Sequence, residues 1–249
     1  MTVEHAGVGI LGHVFTVPEH RRKGACTAVM KHLMEDFKRR GGKALTLGTG
    51  YDSPPYWIYH SFGFRSVEEG SGTMKFLAHP DIEECYFAPR SARITEAKWH
   101  HWGPMNLLCV HHAGDYLRAY SVGLFGLSNF EGGFLSLLHR KIARNEPIQW
   151  LVIETDDNAV VGFAILQPDA RWRNCVWLLD FFVHPNFVHY TVELLSALKS
   201  PNAKVQCYTQ TGGIKSMMLG RLGYTPEATL ARQLRVDNRW LDVTIWQRI

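Results

Sequence analysis

The chain has 249 residues, of which 46% are apolar and 20% are charged, and its formal net charge is +4. This composition can bury the core of one large domain or of two smaller ones, and it excludes a disordered linker protein. No apolar run approaches the ~20 residues of a bilayer span, the N-terminus lacks the basic region of a secretory signal, and the even charge balance disfavours a nucleic-acid or membrane-surface binder. Five widely spaced cysteines without a Cys-x-x-Cys pair indicate a reduced, cytoplasmic protein.

The first part of the chain has the order β-α-β-α-β. Residues 8–17 are rich in β-branched and apolar side chains, and they predict a strand that ends at Pro18. Apolar side chains spaced by three and four predict an amphipathic helix over residues 25–40. A strand, a short helix and an extended segment are then predicted over residues 43–48, over 56–61 and from Phe64 onward. This order predicts a sheet that is at least partly parallel near its start.

The second part follows an irregular stretch over residues 80–98, where we place a domain junction. Residues 113–144 are predicted to be mostly helical, with a break around 123–133. Strands are predicted next over residues 149–154, 159–167, 176–183, 204–208, 229–235 and 240–246. Two helices are predicted among them, over residues 189–199 and 214–222.

A weak internal repeat relates the two parts. The sequence FTVP at residues 15–18 matches FVHP at 182–185, and Gly-Phe at 63–64 matches Gly-Tyr at 223–224. Each pair occurs at the same place in the order strand, Pro turn, helix, strand, short helix, Gly-aromatic, strand. A repeat of this size predicts tandem copies of one domain.

The sequence RRKGAC at residues 21–26 lies between a predicted strand and the N-terminus of a predicted helix. Unpaired N–H groups and the positive end of the helix dipole make such a turn an anion site suited to a pyrophosphate. Gly24 would allow a phosphate to approach the backbone, while Arg21, Arg22 and Lys23 add positive charge. On local sequence alone, a solvated basic turn is an equally good interpretation.

The wider context resembles the GCN5-related N-acetyltransferase (GNAT) family. Its signature of Arg or Gln, two residues, Gly, one residue, then Gly or Ala is matched by Arg21, Gly24 and Cys26, although Cys26 departs from the usual residue. The later family signature, Tyr, three residues, Gly-Phe, is matched from Tyr59 to Phe64. The resemblance covers residues 8–65, and the second part of the chain resembles the fold only in its order of elements.

The resemblance implies acetyl-CoA as co-substrate. Tyr59 would protonate the leaving thiolate, because a phenol keeps its proton at neutral pH. Backbone groups of Thr16 and Val17 would pair with the pantetheine arm, and residues 21–27 would hold the pyrophosphate. Asp52 and Ser53 stand where family members often carry Asn. The implied CoA-binding residues are Thr16, Val17, Arg21, Arg22, Lys23, Gly24, Ala25, Cys26, Thr27, Asp52 and Ser53.

The fold implied is α/β (α+β), with a mixed, mostly antiparallel sheet flanked by helices in two tandem units. Residues 1–85 would be the C-terminal half of a GNAT domain that carries the acetyl-CoA motif. Residues 99–249 would be a second GNAT-like domain with a degenerate motif. The family normally places about three strands and two helices before the strand at Val8, so we expect either a half-domain completed by the second unit or a truncated product.

The function implied is transfer of an acetyl group from acetyl-CoA to an unidentified amine on a small molecule or a protein. Glu19, His20 and a water chain are open choices for the general base. The alternative function is a non-catalytic CoA-binding or interaction module. The second unit would form a wall of the acceptor site or a dimer surface. We expect no membrane or nucleic-acid partner and no metal, because neither His100-His101 nor His111-His112 has a helix-spaced ligand pattern.

Overall fold

Two large β-sheets and seven α-helices organise the chain, and the computed structural model describes residues 1–249. The strands are β1 (Thr2–His5), β2 (Val8–Leu11), β3 (Ala44–Gly48), β4 (Arg65–Ser66), β5 (Thr73–Leu77), β6 (Ala92–Glu96), β7 (Leu117–Ala119), β8 (Leu124–Phe125), β9 (Gln149–Thr155), β10 (Val160–Pro168), β11 (Val176–Val183), β12 (Lys204–Gln210), β13 (Thr225–Val236) and β14 (Arg239–Arg248). The helices are α1 (Ala25–Arg39), α2 (Pro54–Ser61), α3 (Ile82–Tyr86), α4 (Trp102–Cys109), α5 (Glu131–Ile142), α6 (Thr191–Ser196) and α7 (Ile214–Arg221).

The first sheet has the strand order β1-β2-β3-β5-β4. Only β2 and β3 pair in parallel, and the other neighbours are antiparallel. The sequence analysis did not predict β1, whose hairpin with β2 closes through Ala6 and Gly7. Both turn residues have positive φ, 49° and 81°, which is the backbone of a tight two-residue hairpin.

The second sheet has the order β13-β14-β12-β11-β10-β9-β6. Its one parallel pair is β11 with β12, so the mixed, mostly antiparallel fold class is confirmed. Counted from β10, the strands β10-β11-β12-β14-β13 repeat the order and pairing directions of the whole first sheet. The strand β6 begins this sheet at Ala92.

In both sheets the parallel strands separate after a short contact. Strands β2 and β3 pair from Val8↔Ala44 to Ile10↔Thr46, and β11 and β12 pair only over three residues of each strand. The strand predicted over residues 8–17 therefore ends at Leu11. Gly12 still bonds to Met1 through its N–H and its carbonyl. Residues 13–17 have no partner strand, and there the chain leaves the sheet.

Each face of the first sheet is covered from a different part of the chain. Helix α1 places Met30, Met34 and Phe37 against one face. The opposite face packs into the large core that contains α4. There Gly103 lies so close to β2 that a Cβ atom on it would be 2.7 Å from the Cα atom of Gly9. The second part of the chain thus completes the core of the first sheet.

In this region one sequence prediction was wrong and one helix was missed. Residues 113–144 are not mostly helical, because β7 and β8 form a small antiparallel pair before α5 begins at Glu131. Helix α4 was not predicted, since all eight of its residues are buried and its sequence shows no amphipathic period. None of the seven helices has the length and hydropathy that a membrane crossing requires.

Candidate functional site

A cleft of about 650 Å³ opens in the first sheet beside the segment that leaves β2. One wall is the loop that follows β2, the second is the N-terminus of α1, and the third is α2. The lining residues are Val14, Phe15, Thr16, His20, Arg21, Arg22, Gly24, Ala25, Cys26, Thr27, Pro54, Pro55, Ile58 and Tyr59. The sequence-predicted residues of the loop and Tyr59 therefore meet in one cleft.

The N-terminus of α1 offers this cleft free hydrogen-bond donors. Gly24 is the N-cap residue, no side chain caps the helix, and its first turn contains no acid. The N–H groups of Ala25, Cys26 and Thr27 therefore have no partner within the chain. Three converging donors without a competing carboxylate suit an anion such as a pyrophosphate.

Backbone geometry brings the basic loop to the same place. Arg22 and Gly24 both have positive φ, 59° and 80°, and a Cβ atom on Gly24 would meet no atom within 4 Å. The Arg21 Nε donates to the carbonyl of Thr16 at 3.0 Å, which ties the loop to the segment after β2. Lys23 is exposed and does not line the cleft.

The segment after β2 has unpaired backbone N–H groups beside the cleft. None of the N–H groups of residues 14–17 has a partner within the chain, so an extended ligand could pair there as an added strand. The carbonyl of Val17 already accepts from the N–H of His20 at 3.0 Å. Thr16 lines the cleft, whereas Val17 does not.

Tyr59 reaches the cleft from α2 with its ring buried and 8% of the residue exposed. Its hydroxyl makes no hydrogen bond within the chain. Burial first, and then the nearby Cys26 thiol, raises the pKa of Tyr59 above its ordinary value of 10.0. The phenol is therefore protonated at neutral pH and free to bond to a ligand.

Asp52 and Ser53 lie just outside the cleft, and their side chains bond to residues of α2. The Asp52 carboxylate accepts a hydrogen bond from Trp57 Nε1 at 2.8 Å. Ser53 is the N-cap of α2, and its Oγ accepts from the N–H of Tyr56. Neither residue lines the cleft, so the sequence position that matched the family's Asn is occupied here by turn and cap residues.

Sequence reasoning missed two residues at the point where β2 and β3 separate. A Cβ atom on Gly12 would lie 3.0 Å from Glu131 Oε1, and one on Gly48 would lie 2.7 Å from Asn129 Nδ2. The backbone N–H of Glu131 also donates to Asn129 Oδ1 at 2.7 Å. Burial raises the pKa of the Glu131 carboxyl, opposed by its hydrogen bond with Asn129 and by nearby His13. No sequence signal could find this pair, because it comes from the distant segment before α5.

The equivalent opening in the second sheet is filled by the chain itself. The space between β11 and the N-terminus of α7 has a volume of about 10 Å³. Asp115 accepts the N–H groups of Ile214 and Lys215 at 3.0 and 2.9 Å. Buried Lys215 donates through Nζ to three carbonyls, those of Leu117, Arg118 and Tyr208. The N–H groups at the start of α7, the helix that corresponds to α2, and the Lys215 ammonium are thus already paired within the chain.

Comparison with known proteins gives a family match for the first unit. Residues 4–67 match the family described as an acetyltransferase (GNAT) domain. A comparison with curated proteins finds no match. The matched residues contain the basic loop, α1, β3 and α2, which are the elements that build the cleft.

Several solved acetyltransferases are similar in structure to this chain. A ribosomal-protein-alanine N-acetyltransferase from Brucella melitensis is 21% identical, with 63% of this chain and 99% of that one covered and a TM-score of 0.48. A putative acetyltransferase from Salmonella typhimurium, solved with its cofactor acetyl-CoA, is 19% identical, with 64% and 94% covered and a TM-score of 0.47. A phosphinothricin acetyltransferase from Sinorhizobium meliloti, in complex with acetyl-CoA, is 18% identical, with 64% and 88% covered and a TM-score of 0.42.

The family match and the cleft agree on the same residues. Arg21, Gly24 and Tyr59 lie within the matched range, and all three line the cleft. The part of the chain that matches the acetyltransferase (GNAT) domain is therefore the part that builds the cleft.

Proposed function

We propose that this protein is an N-acetyltransferase that moves an acetyl group from acetyl-CoA to an amine. The observation that carries the proposal is the cleft in which the free N–H groups at the start of α1 and the unpartnered Tyr59 hydroxyl meet. The N–H groups would hold a phosphate of an extended ligand. The Tyr59 hydroxyl would donate a proton at the other end of that ligand, where the reaction takes place. The match of residues 4–67 to an acetyltransferase domain supports the same conclusion.

The chain's own residues suggest how acetyl-CoA would be held. The N–H groups of Ala25, Cys26 and Thr27 would receive the pyrophosphate, with Arg21 and Arg22 supplying positive charge. The free N–H edge of residues 14–17 would pair with the amide-bearing pantetheine arm. Lys23, Val17, Asp52 and Ser53 lie outside the cleft lining, so their direct contribution would be smaller than the sequence resemblance implies.

The bound thioester would supply an activated acetyl carbonyl. The protein would position the two reactants and protonate the leaving thiolate. Attack by a neutral amine forms the new C–N bond and breaks the C–S bond, so the thiolate must gain one proton and the amine must lose one. Tyr59, protonated at neutral pH, would give its proton to the departing sulfur. Backbone N–H groups after β2 would stabilise the developing oxyanion.

Glu131 is our candidate for the base that receives the amine proton. Its carboxylate lies beside Gly12, at the point where β2 and β3 separate. Half-burial raises the pKa of Glu131, which makes its carboxylate a better proton acceptor than an exposed one. His20 lines the CoA cleft and Glu19 does not.

The variant Glu131→Gln is expected to lower turnover by about 100-fold, the size typical of losing a general base. Affinity for acetyl-CoA should stay at the wild-type value, because Glu131 does not line the CoA cleft. Thiol release measured against pH would show the cause. Wild-type activity should fall as the pH drops through the raised pKa of Glu131, and the variant should lack that dependence.

A matched control is Glu35→Gln, which removes an exposed carboxylate on α1 that faces only His32. It should leave turnover and its pH dependence unchanged. Equal turnover in wild type and Glu131→Gln would contradict the assignment of the base without touching the proposed activity.

The two units are proposed to be a half-domain and a second GNAT-like domain that completes it. The first sheet has the strand order of the last five strands of the second sheet, and α4 covers its open face. The second unit would then bind no CoA of its own, since Asp115 and Lys215 fill its cleft. Its remaining role would be to form the acceptor wall of the first site.

Calorimetry with acetyl-CoA and a thiol-release assay over a panel of primary amines test the activity. We expect binding of one acetyl-CoA per chain and amine-dependent thiol release. Absence of binding at millimolar acetyl-CoA would overturn the proposal. Binding without release for any amine would instead support a non-catalytic CoA-binding module.

A further inference from the structure

A cluster of three histidines and one glutamate lies where the two sheets meet, near the start of β2, whereas the CoA cleft opens after the end of β2. His5 ends β1, His100 and His101 lie in the single 3-10 turn Trp99–His101, and Glu154 lies in β9. His5, His100 and Glu154 each offer one ligand atom, and these atoms all lie within 4.8 Å of one another. Imidazole nitrogens with one carboxylate oxygen are a common ligand set for Zn²⁺.

One polar atom of this cluster has no partner. The Nε2 of His5 is buried and makes no hydrogen bond, while its ring lies 4.6 Å from that of His100 between centroids. A buried imidazole nitrogen without a partner is costly, because it has lost its water without gaining a bond. Coordination to a metal ion would satisfy it.

Hydrogen bonds from Arg93 and Lys98 orient Glu154 and His101. Arg93 donates to Glu154 Oε2 at 2.7 Å, which leaves Oε1 turned toward the histidines. The N–H of Lys98 donates to His101 Nδ1 at 2.9 Å, so the proton of that ring is on Nε2, 3.3 Å from Glu154 Oε1. His101 therefore supports the carboxylate instead of offering a ligand nitrogen.

The remaining atoms have the separation and the access that a metal needs. His100 Nε2 lies 3.7 Å from Glu154 Oε1, close to the ~3.4 Å between two ligands that each bond a tetrahedral zinc. The His100 side chain is 40% exposed, which gives an ion a path into the site.

We propose that His5, His100 and Glu154 bind a zinc ion that joins the first sheet to the second. The ion would be held by two imidazole nitrogens and Glu154 Oε1, with solvent completing the shell beside His100. The ligands come from three elements far apart in the sequence, which explains why neither histidine pair showed a metal-binding spacing. The site is separate from the CoA cleft, so it does not depend on the proposed activity.

Calorimetric titration of the chelator-treated, full-length protein with zinc chloride at about pH 7.5 tests this site. Wild type should bind one Zn²⁺ per chain, and zinc should raise its melting temperature. His100→Ala should weaken binding by about 100-fold, and this variant should fold because His100 is partly exposed. His5→Gln should have the same effect and serves as the second variant.

The control is His32→Ala, since His32 is 84% exposed on α1 and represents the surface histidines that bind zinc weakly. It should leave both the affinity and the zinc-dependent melting shift at wild-type values. Absence of binding to the wild type at about 100 µM zinc, a concentration far above the Kd of a specific zinc site, would overturn the proposal. Equal affinity in wild type and His100→Ala would overturn it as well.

Discussion

Replacing Gly24 with glutamate is expected to abolish acetyl-CoA binding at concentrations that saturate the wild type. Gly24 lines the cleft at the N-cap of α1, and a Cβ atom there would meet no protein atom, so the new side chain would enter the space of the ligand. Its carboxylate would compete for the N–H groups of Ala25, Cys26 and Thr27 and would repel the phosphates. We expect a loss of about 100-fold or more, which is ~2.8 kcal/mol at 1.4 kcal/mol per factor of ten, measured by calorimetry.

Gly41→Glu is a closely matched control for this variant. Gly41 follows the other end of α1, has a φ of 74° against 80° for Gly24, and a Cβ atom on it would also meet nothing within 4 Å. Both variants therefore carry the same backbone strain and the same charge change, and only one of them is in the cleft. Equal acetyl-CoA affinity in the two folded variants would show that the start of α1 is not the phosphate site.

Local patterns were sufficient to predict the elements that build the cleft. The apolar spacing of α1, the Pro-rich start of α2 and the basic loop before Gly24 are each encoded within a few residues. The structure begins α1 at Ala25 and places Tyr59 on α2, as predicted. The strand β2 was predicted too long, because composition cannot show where the pairing of β2 with β3 ends and residues 13–17 lose a partner strand.

The parts that could not be predicted depend on contacts between distant segments. Helix α4 is buried on every side, so it has no polar face to reveal its period. Glu131 reaches Gly12 only because α4 packs against the first sheet. Asn106 shows the same dependence, since this buried residue of α4 donates to Thr46 Oγ1 at 2.7 Å and accepts from the N–H of Phe130 at 2.6 Å.

Tyr59→Phe is expected to reduce turnover by about 100-fold, the lower range for loss of a general acid, with acetyl-CoA affinity unchanged. The change removes only a hydroxyl that has no hydrogen bond within the chain, so neither the packing of the ring nor the fold should suffer. Burial raises the pKa of Tyr59 above 10.0. The phenol therefore carries its proton at neutral pH, and activity that depends on this proton should be lost only as the pH rises through the raised pKa. Steady-state thiol release together with calorimetry separates kcat from binding.

The control for that variant is Tyr56→Phe, one turn earlier on the same helix. Tyr56 is equally buried, but its hydroxyl is bonded to Ser66 Oγ at 2.9 Å and does not line the cleft. Its loss should lower the free energy of unfolding by about 1 kcal/mol and leave turnover unchanged. We therefore expect opposite results from the two variants. Tyr59→Phe should lower turnover and leave stability unchanged, whereas Tyr56→Phe should lower stability and leave turnover unchanged. Wild-type turnover in Tyr59→Phe would remove this phenol from the reaction and leave protonation of the thiolate to water.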